Sequence, residues 1–369
     1  MQKPDPHIII SGGGTGGHVF PALAIARALS DRLPAAKILF IGASGKMEME
    51  KVPAAGFPIE GLWISGLKRE LSLSNLLFPV KVVVSLFRAM LIIRKFRADI
   101  AIGVGGFASG PALRAASLLG VPTMIQEQNS FPGITNKLLA KKAARICVAY
   151  PEMDRFFQAD KIVLTGNPVR KEIIETAGKR DEAAELFGLN ANAQTLFVVG
   201  GSQGAFSINT YIEQMLPVLK QHHIQLLWQT GRNYCTRAVE ACQNAGYELV
   251  KVTDFIQRMD LAYAMADLVV SRSGAIAIAE LAAVGKPVIF IPFPHAAEDH
   301  QMKNAVKLAE KEAAIVIKDS EGREKLPQLV LELINDERKR KEMAENIEKF
   351  AIPDAAEKIA NEVIFILER

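Results

Sequence analysis

The sequence predicts an α/β protein made of two doubly wound parallel sheets. Three observations predict it. Short apolar, β-branched runs alternate with helical patterns from end to end. These runs are continuous, as strands buried on both faces of a helix-covered parallel sheet are. The chain also starts twice: Ile8-Ile9-Ile10-Ser11 runs into Gly12–Gly17, and Phe197-Val198-Val199 runs into Gly200-Gly201-Ser202-Gln203-Gly204. Each is a strand, a glycine loop and the start of a helix, nearly half a chain apart. A chain of 369 residues is long for one domain and natural for two at roughly 150 residues each.

In the first half, strands are expected at His7–Ile10, Lys37–Ile41, Ile100–Val104, Pro122–Ile125 and Ile146–Val148, with a helix over Pro21–Leu33 whose first turn suits Pro21. In the second, strands are expected at Thr195–Val199, Ile224–Gln229, Leu268–Ser271, Val288–Pro292 and Ala314–Ile317. Gly166-Asn167-Pro168 breaks regular structure between the halves, giving domains over 1–165 and 166–352. After Pro353, Asp354–Leu367 is helical in pattern and either caps the second domain or crosses back to the first.

With 49% hydrophobic and 23% charged residues the chain is globular, and disordered, collagen-like and coiled-coil classes are disfavoured. A net charge of +4 is too mild to argue for nucleic acid. Cys147, Cys235 and Cys242 form no Cys-x-x-Cys pair, which argues for a reducing compartment. No signal peptide is expected at the start, and Val80–Ile93 is interrupted by Lys81 and Arg88, so no bilayer-spanning run is expected.

The first loop satisfies Gly-x-Gly-x-x-Gly through Gly12, Gly14 and Gly17. A nicotinamide site also wants an acidic residue at the end of the second strand, and Ile41 leads instead into Gly42-Ala43-Ser44-Gly45, so the dinucleotide reading loses support. What remains is an anion cradle of backbone N–H groups at a helix N-terminus. His18 follows it at the mouth of the expected site and is the candidate general base, an ordinary imidazole pKa of about 6.5 suiting that task. Gly103, Gly105, Gly106 and Gly110 repeat the arrangement, and two such loops in one half suit a diphosphate-bearing ligand. In the second half, Gly200–Gly204 offers another cradle. Ser271-Arg272-Ser273-Gly274-Ala275 precedes a helix bearing Glu280, whose carboxylate can accept from two ribose hydroxyls. No His-Glu-x-x-His and no Asp-x-Asp occurs, so no metal or other cofactor is expected, and His295, Glu298, Asp299 and His300 form only a weak cluster.

Leu71–Ala98 carries Lys81, Arg88, Arg94, Lys95 and Arg97 with no acid, interleaved with Leu76, Leu77, Phe78, Val82, Phe87 and Leu91. That pattern suits an anionic membrane surface, and Lys137, Lys141, Lys142 and Arg145 extend the charge.

Seven ordered blocks resemble the MurG family: Gly13–His18 with Pro21; Gly103–Pro111; Glu127-Gln128-Asn129 with Thr135-Asn136-Lys137; Gly166–Arg170; Gly200–Ala205; Arg272–Ala275; and Pro292–Gln301 with Asn304-Ala305. The resemblance implies a GT-B fold of two Rossmann-like domains facing across a cleft, the first taking the acceptor and the membrane and the second the UDP-sugar. It implies metal-independent, inverting transfer of N-acetylglucosamine from UDP-N-acetylglucosamine to the C4 hydroxyl of undecaprenyl-diphosphate-linked muramoyl-pentapeptide, lipid I to lipid II. The enzyme would work peripherally on the cytoplasmic face of the plasma membrane, alongside cell-wall or division proteins. By position, Ser202 would lie near the donor diphosphate and Ile256 and Arg170 around the uracil. Ala275, Ile276, Ala277, Ile278, Ala279 and Glu280 would line the ribose, and Asn129 and Gln301 the N-acetylglucosamine. Thr15, Gly16, Gly17 and His18 would stand at the reacting centre, with Gly14, Gly105, Gly106 and Ser109 on the acceptor diphosphate. Gln126 departs from the family, where histidine is frequent. The rival readings are a UDP-N-acetylglucosamine 2-epimerase or another glycolipid synthase.

Overall fold

The computed structural model describes residues 5–66, 77–296 and 299–369. Its contacts divide into two units, Met1–Arg170 with Ile352–Arg369, and Lys171–Ala351. The division falls at Arg170, so Gly166-Asn167-Pro168 stays with the first unit. The chain leaves and re-enters that unit at one place, where a Cβ on Gly166 would meet the Ile352 side chain at 2.7 Å.

In the first unit, β1 (His7–Ser11), β2 (Lys37–Ala43), β3 (Ile59–Leu62), β4 (Ile100–Gly103), β5 (Thr123–Glu127), β6 (Arg145–Val148) and β7 (Ile162–Leu164) form a parallel sheet in the order β3-β2-β1-β4-β5-β6-β7. The isoleucines of β1 are fully buried because the sheet is covered on both faces. Ile8 and Ile10 join the helix Gly16–Arg32 and the helix Ala355–Leu367 in one core, and Ile9 joins the helices Phe78–Phe96 and Ser109–Leu118 in the other. The last helix of the chain therefore crosses back, seating Ala356, Ile359, Ala360 and Val363 in the first core.

The second unit holds β8 (Thr195–Val199), β9 (Gln225–Gln229), β10 (Val250–Thr253), β11 (Leu268–Ser271), β12 (Val288–Phe290) and β13 (Ile315–Val316), parallel in the order β10-β9-β8-β11-β12-β13. Trp228, Phe197 and Tyr263 are its largest buried side chains, and Trp228 Nε1 donates to Asn209 Oδ1 at 3.0 Å.

Both sheets wind outward from a central pair, β1 with β4 and β8 with β11. That reversal of direction opens a crevice at the C-terminal ends of the two central strands, where open α/β sheets bind ligands. The four loops leaving those ends begin at Gly12, Val104, Gly200 and Arg272, the motifs that the sequence singles out.

Candidate functional site

The helix after β1 begins at Gly16, with Thr15 as an extended N-cap (φ −144°, ψ 160°), five residues earlier than expected from Pro21. Glycines at 16 and 17 are weak helix formers, which is why sequence reasoning starts the helix too late; the reward is that His18 stands in the first turn. Its Nδ1 lies 3.3 Å from Thr15 Oγ1. The ring packs on the loop after β4 so closely that a Cβ on Gly105 would fall 2.5 Å from His18 Cδ2, and Gly105 sits at φ +93°. Here only glycine serves. Burial pulls His18 down to about 4 from the ordinary imidazole value, partly offset by a hydrogen bond with the Gly13 backbone. The ordinary value expected from sequence is thus replaced by a ring that is neutral at pH 7.

The glycine loop is narrower than an open cradle. Gly13 N–H donates to Gly105 O at 3.3 Å, Gly106 (φ +86°) presses on the Gly13 backbone, and Gly14 N–H donates to Glu48 Oε2 at 2.9 Å. The amide of Gly14 is thus taken by a protein carboxylate. Ser109 is fully buried, its hydroxyl 2.7 Å from both Ser11 O and Gly105 O, so it fastens the two central strands together. Neither group presents a donor to a phosphate, in contrast to the expectation for Gly14 and Ser109.

Beyond β5, the buried carboxylate of Glu127 holds a whole loop by accepting from Asn129 N–H (3.0 Å), Asn129 Nδ2 (3.2 Å), Gly133 N–H (3.2 Å) and Asn136 Nδ2 (2.8 Å). Burial still raises its pKa. Asn129 is left with its carbonyl oxygen for a ligand. Gln126 is buried and receives Gln128 Nε2 at 2.7 Å while donating to Asn167 Oδ1 at 3.2 Å, so the residue that departs from the family ties β5 to the crossover. Arg170 stacks its guanidinium 4.7 Å from the Phe20 ring centroid, and its buried Nε has no protein partner.

In the second unit, Gly204 (φ +77°) lies against Thr230 O and Gly231 (φ +78°) against Gln203 O, a mutual approach that no side chain tolerates. Ser202 is half-buried in this loop. Gln229, which sequence reasoning missed, donates to Gly201 O at 3.0 Å and accepts from Ile256 N–H at 2.8 Å, and so joins the Ser202 loop to buried Ile256. Its position as the last residue of a strand was the available signal.

The helix Ala275–Ala283 starts at extended Gly274. Ala275 and Ile278 turn into the core, Ile276, Ala277 and Ala279 are half-buried, and Glu280 Oε2 accepts from the buried Tyr263 hydroxyl at 3.0 Å. Arg272 is a cross-link: it donates to Ile291 O, Pro292 O, Asp319 Oδ1 and Ser207 Oγ between 2.5 and 3.1 Å. Gln301 accepts from Phe293 N–H at 2.9 Å, and its backbone carbonyl receives Ser273 Oγ. Its side-chain NH2 remains to donate.

Family profiles match both halves: the glycosyltransferase family 28 N-terminal domain over residues 8–148 and the family 28 C-terminal domain over residues 195–359. A relative in Cytophaga hutchinsonii, named UDP-N-acetylglucosamine–N-acetylmuramyl-(pentapeptide) pyrophosphoryl-undecaprenol N-acetylglucosamine transferase, is 55% identical over 99% of this chain and 98% of its own length. The chain belongs to the MurG branch of glycosyltransferase family 28. A relative of the same name in Bacteroides thetaiotaomicron is 50% identical, covering 100% of this chain and 99% of its own. The crystal structure of Acinetobacter baumannii MurG superposes with a TM-score of 0.73 at 29% identity, over 97% of this chain and 99% of that one. A UDP-N-acetylglucosamine 2-epimerase from Neisseria meningitidis shares the fold, with a TM-score of 0.69 at 13% identity over 98% and 100% of the two chains. The two-sheet GT-B architecture is therefore that of the family.

The basic apolar stretch of this family 28 chain forms the helix Phe78–Phe96, which exposes Val80, Val83, Val84, Phe87 and Leu91 along one stripe. Leu71–Leu76 lie outside the described residues. The absence of acid holds within the segment only, because Glu60 of β3 comes within 3.6 Å of Arg88, and Lys81 donates to Ser65 Oγ at 3.1 Å. Arg145 is engaged with Glu362 of the last helix at 3.2 Å, so it adds little free charge. Among the described residues no helix is long and apolar enough to cross a membrane, and none of the His, Cys, Asp and Glu side chains cluster in threes fit for a metal ion; Glu298 lies outside them.

Proposed function

We propose that this chain transfers N-acetylglucosamine from UDP-N-acetylglucosamine to the C4 hydroxyl of undecaprenyl-diphosphate-linked muramoyl-pentapeptide, with inversion and without a metal, completing the lipid-linked peptidoglycan precursor. The observation that carries the reading is the 55% identity to a relative of that name over 99% of the chain. The side chains supply a consistent chemistry. Glu280, aimed by Tyr263, receives the ribose hydroxyls. The Ser202 loop and the N-terminus of the helix Ala275–Ala283 face the UDP diphosphate, where their N–H groups stabilise the charge that develops as UDP leaves. Ile256 packs at the uracil and Gln301 donates to the sugar, and Arg170 and Asn129 keep the uracil and sugar roles that the family resemblance implies for them.

His18 takes the acceptor's C4 proton as the oxygen attacks the anomeric carbon; the bond to UDP breaks with its electron pair, and Thr15, Gly16 and Gly17 border the attacking oxygen. A ring at about 4 is fully neutral at pH 7 and so free to accept, though a weak base. Binding of an anionic acceptor diphosphate beside Gly105 and Gly106 strengthens it, since a nearby negative charge favours the imidazolium.

The exposed stripe of the helix Phe78–Phe96 rests on the cytoplasmic face of the plasma membrane. Its basic residues are worth on the order of 1 kcal/mol each near anionic headgroups. The domain roles follow: acceptor and membrane on the first unit, UDP-sugar on the second, with cell-wall or division proteins as neighbours.

The test is transfer of labelled N-acetylglucosamine to a short-chain lipid-linked muramoyl-pentapeptide. Disaccharide product is expected, and N-acetylmannosamine as the sole product overturns the reading. The same assay in excess EDTA is expected to keep its rate; loss restored by magnesium removes metal independence.

A further inference from the structure

The acid that a nicotinamide site would place at the end of β2 is absent there, yet one arrives a few residues later and turns back under the glycine loop. Glu48 is fully buried. Its Oε1 accepts from Ala43 N–H and its Oε2 from Gly14 N–H, each at 2.9 Å. The slot it fills exists because Gly13 of the loop after β1 and Gly42 of β2 lack side chains: a Cβ on Gly13 would lie 2.1 Å from Oε1, and one on Gly42 would lie 2.6 Å from Glu48 Cγ.

The N–H of Gly14 and the carbonyl of Gly13 belong to one planar trans peptide, so they point to opposite sides and cannot turn independently. Glu48 holds the N–H side. The His18 ring packs against Gly105, where a Cβ would fall 2.8 Å from its Nε2, and makes its backbone hydrogen bond with Gly13. The Gly13 N–H is already given to Gly105 O at 3.3 Å, so the group that meets the ring is the Gly13 carbonyl, to which the ring donates. A carboxylate accepting from one end of an amide also polarises it, leaving more negative charge on the carbonyl oxygen at the other end. Which imidazole nitrogen keeps its proton is set by the bond the ring donates.

We propose that Glu48 is a positioning residue for the transfer reaction, acting on His18 through the Gly13–Gly14 peptide: it fixes the plane of that peptide, and the peptide carbonyl fixes the orientation and tautomer of the imidazole. This rests on His18 being the base. Glu48 itself touches no substrate.

The experiment uses the full chain labelled with 15N-histidine. Glu48→Gln keeps the volume of the side chain but loses its charge and one of its two acceptor oxygens. Misplacing a catalytic group by about an ångström costs up to about a hundredfold. The expected result for Glu48→Gln is UDP affinity within about twofold of the parent and kcat lowered about tenfold to a hundredfold. Acceptor KM should change less than kcat, and the His18 ring nitrogen shifts should move towards those of a tautomer mixture. Glu48→Asp, which retains the carboxylate on a shorter arm, is expected to recover part of both kcat and the tautomer signature. Parent ring shifts with parent kcat in Glu48→Gln overturn the proposal. So does loss of folding and UDP affinity in both variants in step with kcat, which marks Glu48 as a strut alone. Failure of the base reading is seen separately: His18→Ala then turns over normally, whatever the ring shifts in Glu48→Gln report.

Discussion

In the proposed transfer His18 accepts a proton and so acts as the neutral ring, which makes the expected rate fall as pH drops through its pKa. With that pKa drawn down to about 4, the acidic limb of kcat/KM is expected well below the ordinary imidazole range. His18→Ala should remove that limb and lower turnover about a hundredfold to ten-thousandfold, with UDP affinity little changed. Stability carries the same signature. The unfolded chain binds the proton near 6.5 and the folded one only near 4, so the native state loses stability as pH falls across that window and is unaffected above it. Denaturant titrations at pH 7 and pH 5 on parent and variant read the difference: the variant's stability should fall less between the two. At the donor end, Glu280→Ala removes a charge-assisted acceptor worth roughly 1.5 to 3 kcal/mol. UDP binding should weaken about tenfold to a hundredfold in calorimetry while acceptor KM stays level, and unchanged affinity removes Glu280 from the site.

At the scale of the element, the helix Phe78–Phe96 is apolar on two faces: Ser85, Ala89 and Ile93 are buried and Val82, Leu86 and Met90 pack against the core, while Phe87 and Leu91 are 63% and 67% exposed. The inward face is satisfied by the core; the large apolar residues outward need another partner. Phe87→Asp with Leu91→Asp is expected to reduce sedimentation with phosphatidylglycerol vesicles severalfold and to leave UDP affinity unchanged. Reversing Lys81 and Arg88 to Glu tests the charge, but is less clean because Arg88 already faces Glu60. Vesicle binding that survives both changes returns the helix to a purely structural role.

At the scale of the molecule, the chain closes its first unit with its last helix. Ile359 is fully buried in the first core. Truncating such a side chain to alanine costs about 2 to 5 kcal/mol. Ile359→Ala should therefore lower the thermal transition of the first unit, while the UDP-dependent rise of the second unit's transition persists, as calorimetry with and without UDP will show. A shift confined to the UDP-sensitive transition contradicts this assignment of the helix.

The sequence by itself determined the class of fold, all the central strands and the loops that leave them, because a strand covered on both faces must be apolar throughout and a loop pressed against backbone must be glycine. It missed β3, β7 and β10. All three are edge strands, where one neighbour is lacking; in β3 and β10 polar residues such as Glu60 and Lys251 break the apolar run that announces a strand, and β7 is only three residues long. Only the tertiary structure decided which polar groups meet. Glu48 under Gly14, Gln229 between Gly201 and Ile256, Tyr263 on Glu280 and the last helix on the first sheet all join residues far apart in the fold's order or hidden in turns of unremarkable sequence. Hydrogen bonds of that kind are set by the topology that brings strand ends to one edge, and no local pattern of residues encodes them.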